Sequence, residues 1–188
     1  MIGNMRRFVW STGLVILLVS AFQTRLEAQI CPEGSFSAKY YKNQTLTGTP
    51  AFTRCEKRID FDWGSQGPKG TVATRGGSRA SSGDAGGIED QEGKVDGPTT
   101  AVSIGVDHFS AKWRGNFQFP AGDYTFIAKA DDGIRVWVDG QKIIDAWRDQ
   151  GPTEYRANRN LTAGPHTIEV FYYENDNGAT VRLRWQRQ

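Results

Sequence analysis

Two aspartates stand side by side at Asp131-Asp132, directly before Gly133. Adjacent carboxylates repel unless a proton, a base or a cation lies between them. A hard cation such as calcium accepts several carboxylate and carbonyl oxygens at once. The pair is therefore a candidate calcium site. The same tripeptide is also ordinary turn chemistry, because Asp side chains bond nearby backbone and Gly tolerates positive φ. A second acidic pair, Asp145 and Asp149, flanks Trp147. Glycoside hydrolysis needs two acids at set separations across a cleft, and two acids in one loop carry no such geometry. His108 and His166 are the only histidines. Neither lies beside a Ser or Cys in a nucleophile motif, and they form no metal-binding pair at helical spacing. No catalytic residue is expected, and the chain reads as a non-enzyme. Trp137, Trp147 and Tyr155 carry flat apolar faces on which a sugar ring can stack. Trp147 and Tyr155 are the first candidates for ligand contact, although rings of this kind also serve as core. Trp113 and Trp185 fall on the apolar phase of their strands and are assigned to the core.

Strands must position these groups. Tyr124, Phe126 and Ala128 alternate with polar neighbours up to the Asp pair, and Ile134, Val136 and Val138 alternate after it. Asp139-Gly140 then gives a hairpin signal. Phe36 to Tyr41 predicts a first strand, and Arg54 to Trp63 a second extended region with Ile59, Phe61 and Trp63 on one face. Phe109, Ala111 and Trp113 alternate, as do Ile168, Val170 and Tyr172, and then Val181, Leu183 and Trp185. Thr153 to Leu161 is a further candidate strand. Period-two patterning with turns every few residues predicts an all-β, antiparallel β-sandwich or barrel. Residues 64–105 break the pattern. They are rich in Gly and Ser, lack apolar periodicity and read as a long flexible insertion loop, of the kind that is usually a binding loop or disordered.

The chain opens with Arg6 and Arg7, then an apolar run from Phe8 to Phe22, then polar residues and Ala28. This is the layout of an export signal, expected over 1–28 with the domain over 29–188. The run is shorter than the roughly 20 residues a membrane span needs. No later run could span a membrane, so none is expected after cleavage. The signal holds three Arg and one Glu, which is the whole formal charge of +2. The remainder is near neutral, which argues against nucleic acid as a partner, since that asks for a basic patch. Cys31 and Cys55 are the only cysteines, and an even count in an exported chain predicts a disulfide; two free thiols are the alternative.

Several runs together resemble the PA-14 domain, a module shared by protective antigen, glycosidases and yeast flocculins. They are Phe109-Ser110-Ala111-Lys112-Trp113-Arg114-Gly115, Ala121-Gly122-Asp123-Tyr124-Thr125-Phe126, the segment from Asp131 to Gly140, Ile143-Ile144-Asp145-Ala146-Trp147, Gly164-Pro165-His166-Thr167-Ile168, Tyr172-Tyr173-Glu174 and Leu183-Arg184-Trp185. The resemblance covers about residues 36 to 187. It implies a jelly-roll-type β-sandwich that serves as a secreted or cell-envelope carbohydrate-binding or adhesion module. In the family's sugar-binding adhesin branch, an Asp-Asp pair joined by a cis peptide holds a calcium ion that binds sugar hydroxyls. Those positions fall on Asp131 and Asp132. An Asn and backbone carbonyls of a later loop complete that site, which points here to Asn177 and then Asp176. The segment Glu174 to Gly178 is shorter than that loop. The expected partner is a carbohydrate or glycoconjugate. The open alternative is a structural or protein-interaction domain of an extracellular assembly, with extracellular proteins as partners and no sugar site.

Overall fold

The computed structural model describes residues 31–73 and 99–188. The expected signal segment and residues 74–98 lie outside them. Among the described residues every regular element is a strand: β1 (Phe36–Tyr41), β2 (Phe52–Glu56), β3 (Ile59–Gly64), β4 (Lys69–Ala73), β5 (Thr99–Ser103), β6 (Phe109–Phe119), β7 (Gly122–Asp131), β8 (Gly133–Val138), β9 (Gln141–Ala146), β10 (Thr153–Leu161), β11 (Gly164–Glu174) and β12 (Ala179–Arg187).

Alternating apolar residues need one face buried, and two sheets provide it by packing face to face. A six-stranded sheet runs β2-β1-β6-β11-β8-β9, and a four-stranded sheet runs β10-β7-β12-β3. Every strand pairing in them is antiparallel. The expected all-β sandwich is therefore the observed fold. Its core is strongly aromatic. Trp113, Tyr40, Tyr172, Phe109 and Phe126 are fully buried between the sheets. Phe61 and Trp63 stack on each other at 4.9 Å and lie against Trp113 and Phe109. A buried carboxylate, Glu56, is held by the Tyr40 hydroxyl at 2.6 Å, the Trp113 indole N–H and the Arg54 guanidinium at 2.5 Å. Charge-assisted donors of this kind are what make a buried acid tolerable.

Two expectations about elements need correction. The extended region over 54–63 is two strands in different sheets: β2 pairs with β1, and β3 with β12. The inward phase runs through Phe52 and Glu56 and then through Ile59, Phe61 and Trp63, so the alternation slips by one residue at Lys57-Arg58. The 64–105 stretch is not loop throughout, since β4 and β5 pair as a two-stranded antiparallel ribbon at its ends. The ribbon turns only a short, weakly apolar face inward, with Gly70, Val72 and Val102 half-buried, too little to read as an apolar alternation. It is seated by Gly70, where a Cβ would lie 2.4 Å from the Phe52 ring, and by buried Ile104, whose N–H donates to Pro68 C=O at 3.0 Å. The disulfide forms as expected: Cys31 is bonded to Cys55, tying the segment before β1 to β2.

Candidate functional site

At Asp131-Asp132 the chain leaves the four-stranded sheet at the end of β7 and enters the six-stranded sheet as β8. Their peptide bond is cis. The return crossing, from β11 back to β12 through residues 175–178, runs alongside. Tyr173 pairs with Gly133 in one sheet, and Thr180 with Asp131 in the other. Two sheet crossings thus meet at one rim of the sandwich. Gly133 is required there, because a Cβ would sit 2.0 Å from the Tyr173 ring.

Asp132 is 5% exposed and rigidly held. Its Oδ1 accepts the Gln150 backbone N–H and its Oδ2 the Asn175 backbone N–H, each at 2.8 Å. Gln150 Nε2 also donates to the Asp132 carbonyl at 3.0 Å. The Asp131 carboxylate has no hydrogen bond among the described residues, and burial, then Asp132, then Asp176, push it above the usual carboxylate range. Glu174 closes the group. It is fully buried at the end of β11. Its Oε2 faces the Tyr172 hydroxyl at 2.8 Å, while its Oε1 is buried without a hydrogen-bond partner among the described residues. The single Tyr172 proton is also within 2.5 Å reach of the Asp131 carbonyl. Burial, opposed by the Tyr172 hydrogen bond and reinforced by Asp132, Asp131 and Asp107, pushes the Glu174 carboxyl up to about 8.

Oxygens of Asp131, Asp132 and Glu174 lie within 4.8 Å of one another. Three carboxyl groups converging on one point, one with an orphaned buried oxygen, form a hard all-oxygen donor set. Such a set suits calcium or magnesium rather than zinc or copper. The residues present therefore fit the cation that the resemblance implies.

The structure brings Asp131 and Asp132 together with Glu174, which sequence reasoning did not single out. A signal was available: Glu174 continues the inward series Ile168, Val170, Tyr172, and a charge on the apolar phase of a strand is the informative exception. Asp176 and Asn177 are exposed in the neighbouring crossing. Asn177 has a positive φ of 76° and donates to Asp176 Oδ1 at 2.6 Å. Gly178 abuts the site, its Cβ position 3.6 Å from Asp131 Oδ2.

The aromatic candidates occupy different places. Trp147 packs edge-on against Tyr173 at 4.7 Å with the Arg135 guanidinium 4.8 Å from its ring. Tyr173 donates to Asp149 Oδ1 at 2.7 Å, and Asn175 Nδ2 donates to Asp149 Oδ2 at 3.2 Å. Trp147 is thus one ring away from the corner. Tyr155 leans against the core, and its hydroxyl donates to Gln150 Oε1 at 2.5 Å, so it steadies the residue that grips Asp132. Trp137 lies against Phe171 at 4.6 Å, on the outer face of the six-stranded sheet. The acids at 145 and 149 are both engaged, Asp145 with Lys142 and with Arg135 at 2.7 Å, and Asp149 as described. The Lys142 and Arg135 hydrogen bonds hold Asp145 below the usual carboxylate range. His166 pairs with Asp139 at 2.6 Å, and exposed His108 donates its backbone N–H to Asn175 C=O at 3.2 Å.

A family model described as PA14 domain matches residues 70–188, more than half of the chain. A curated relative, the anti-sigma-I factor RsgI3 of Acetivibrio thermocellus, is 32% identical over 149 residues, covering 78% of this chain and 18% of the relative. A solved anti-sigma factor domain-containing protein is 30% identical at a TM-score of 0.61, over 83% of this chain and 44% of that one. The chain thus spans under a fifth of the curated relative's length and less than half of the solved chain. The PA14 domain of the MpAFP antifreeze protein shares the fold at a TM-score of 0.58 and 13% identity, over 86% of this chain and 88% of that one.

Proposed function

The chain belongs to the PA14 domain family, and we propose that it is a non-catalytic, exported carbohydrate-binding module that works through a calcium ion at Asp131, Asp132 and Glu174. The observation that carries this reading is the convergence of three carboxyl groups within 4.8 Å, with Glu174 Oε1 buried and unsatisfied. Asp132 is pre-oriented by two backbone donors, and Asp131 faces outward from the corner with its carboxylate uncommitted. Asp176 and Asn177 stand in the adjoining crossing, where Asp176 is near enough to raise the Asp131 carboxyl, and are the further candidates to add oxygens. A calcium ion bound there would offer a positive site for sugar hydroxyls. The Cys31–Cys55 disulfide supports an oxidising compartment outside the cytoplasm.

The test is a calcium titration by calorimetry on the protein and on Asp131→Asn/Asp132→Asn. One-to-one binding lost in the variant, followed by glycan-array signals that disappear in EDTA, is the expected result. A folded protein that takes no calcium refutes the mechanism and leaves a structural or protein-interaction module. The anti-sigma-factor relatives favour a second reading compatible with the first. Here the domain is the ligand-reading part of a signalling protein, and occupancy of the corner is passed to another segment.

A further inference from the structure

We infer that the outer face of the six-stranded sheet is a second binding site, one that takes acidic sugar units without a metal. The register places Lys39, Lys112, Phe171 and Arg135 in one row across β1, β6, β11 and β8. Strands are spaced about 4.8 Å apart, so the three cations span roughly 14 Å, room for a short oligosaccharide. Lys39 and Lys112 are direct cross-strand partners. Like charges placed opposite one another destabilise a sheet; Glu169 offsets Lys112 at 2.9 Å, but nothing among the described residues offsets Lys39, and a bound anion would. Arg114, two residues further along β6, shares Glu169 with Lys112 at 3.6 Å and leaves that pair of cations with one net positive charge.

The row is concave. A groove of about 600 Å³ is lined by Lys39, Lys112, Arg135, Tyr41, Trp147 and Phe171. A second, of about 710 Å³, shares Lys39 and Lys112 with it and continues to Arg114. Lys112 is paired with Glu169 at 2.9 Å and Arg135 with Asp145 at 2.7 Å. Lys39 has no ion pair among the described residues.

The packing of the rings selects for charge. Lys112 Nζ lies 4.4 Å from the Phe171 ring and the Arg135 guanidinium 4.8 Å from that of Trp147. A neutral sugar would have to displace these cations before it could stack. A uronic acid pairs with them where they stand, and its ring lies against the edges of Trp147 and Phe171. The groove also adjoins the corner: Gln44 lines it and donates to Glu174 C=O at 3.1 Å and to Asn175 Oδ1 at 2.7 Å. The inference rests on the carbohydrate reading for the class of ligand, and not on the cation.

The test is calorimetry of the full chain with tetragalacturonic acid in EDTA, with neutral galactotetraose and a short single-stranded DNA as controls. Tetragalacturonate is expected to bind, more weakly as salt rises, and at least tenfold more weakly to Lys39→Gln/Lys112→Gln. That variant should remain folded, since relief of the opposed charges offsets part of the lost Lys112–Glu169 pair, and circular dichroism checks this. Adding calcium to wild type should leave the affinity measured in EDTA unchanged. Absence of binding in EDTA, equal binding of galactotetraose or DNA, or indifference to the lysine variant overturns the sheet-face site. Binding that requires calcium and the intact Asp pair overturns it too, and leaves the corner mechanism standing.

Discussion

Replacing Glu174 by Gln tests the corner from two directions. Glu174 is raised from an ordinary value of 4.5 to about 8 in the folded protein. Between those values the folded state binds a proton that the unfolded state has released, so stability falls as pH rises. The contribution is fully present below about 4.5 and lost through about 8. One group held this way changes stability by about 1.4 kcal/mol per pH unit inside the window, and the whole shift amounts to something on the order of 5 kcal/mol. For a domain of this size, 1 kcal/mol moves the melting point by roughly 2–4 °C. In EDTA, wild type should therefore lose roughly 3–5 °C per pH unit between about pH 5.5 and 7.5. Asp131, raised by burial and by Asp132, adds a contribution of the same sign. Glu174→Gln should remove most of the slope and melt above wild type at pH 8. Calcium should reverse the ranking. At about 100 times Kd a ligand of the native state adds about 2.7 kcal/mol, available to wild type and denied to the variant. Scanning calorimetry at several pH values, with EDTA and with calcium, reads both effects. Equal slopes in the two proteins, or an equal calcium shift, would refute the reasoning.

Three further outcomes are expected. The Asp139 hydrogen bond, against some burial and with help from the Thr162 carbonyl, raises His166; the stability it adds is present below about 6.5 and lost as pH rises through the shifted value. Asp139→Asn should lower the His166 midpoint in an NMR titration and cost about 1 kcal/mol or less at pH 6, because Asp139 is well exposed. Gly133→Ala must push the Tyr173 ring aside, and should destabilise by about 2 kcal/mol or more in a denaturant melt while changing Trp147 fluorescence. Reducing Cys31–Cys55, which closes a loop with a sequence separation of 24, should cost about 3 kcal/mol, read as a fall of roughly 6–12 °C in melting point with dithiothreitol.

Strands β6, β8, β11 and β12 were legible because each has one face in the core, so that burial and sequence alternate together, as Phe109, Ala111 and Trp113 show. The β4–β5 ribbon was not, since its inward phase is only Gly70, Val72 and Val102. The break at Lys57-Arg58 was legible in principle, as a slip of phase. At the site, Asp131 and Asp132 declared themselves by adjacency. Glu174 was hidden because its role depends on which strand ends meet, and Gln150 because its contribution to Asp132 is largely a backbone N–H. The row Lys39, Lys112, Phe171, Arg135 joins residues more than 95 positions apart in the chain, and only register brings them into line.

Topology explains why the carboxyl groups gather where they do. A sandwich strand that changes sheets exposes its backbone at the rim, where no ladder partner is available, and the exposed N–H groups need acceptors. Asp132 answers that need for the Asn175 and Gln150 N–H groups, so one of the acids is structural whether or not a metal binds. Glu174 answers no such need, because its Oε1 accepts nothing. An acid that only held the two crossings together would be better replaced by Gln, which is neutral and keeps the Tyr172 contact. Keeping a carboxyl group there costs stability above its ordinary titration range, and under the proposed calcium reading a bound cation would return it. On the calcium reading, binding would join the β7–β8 crossing to the β11–β12 crossing, and ligand state would be felt through both sheets.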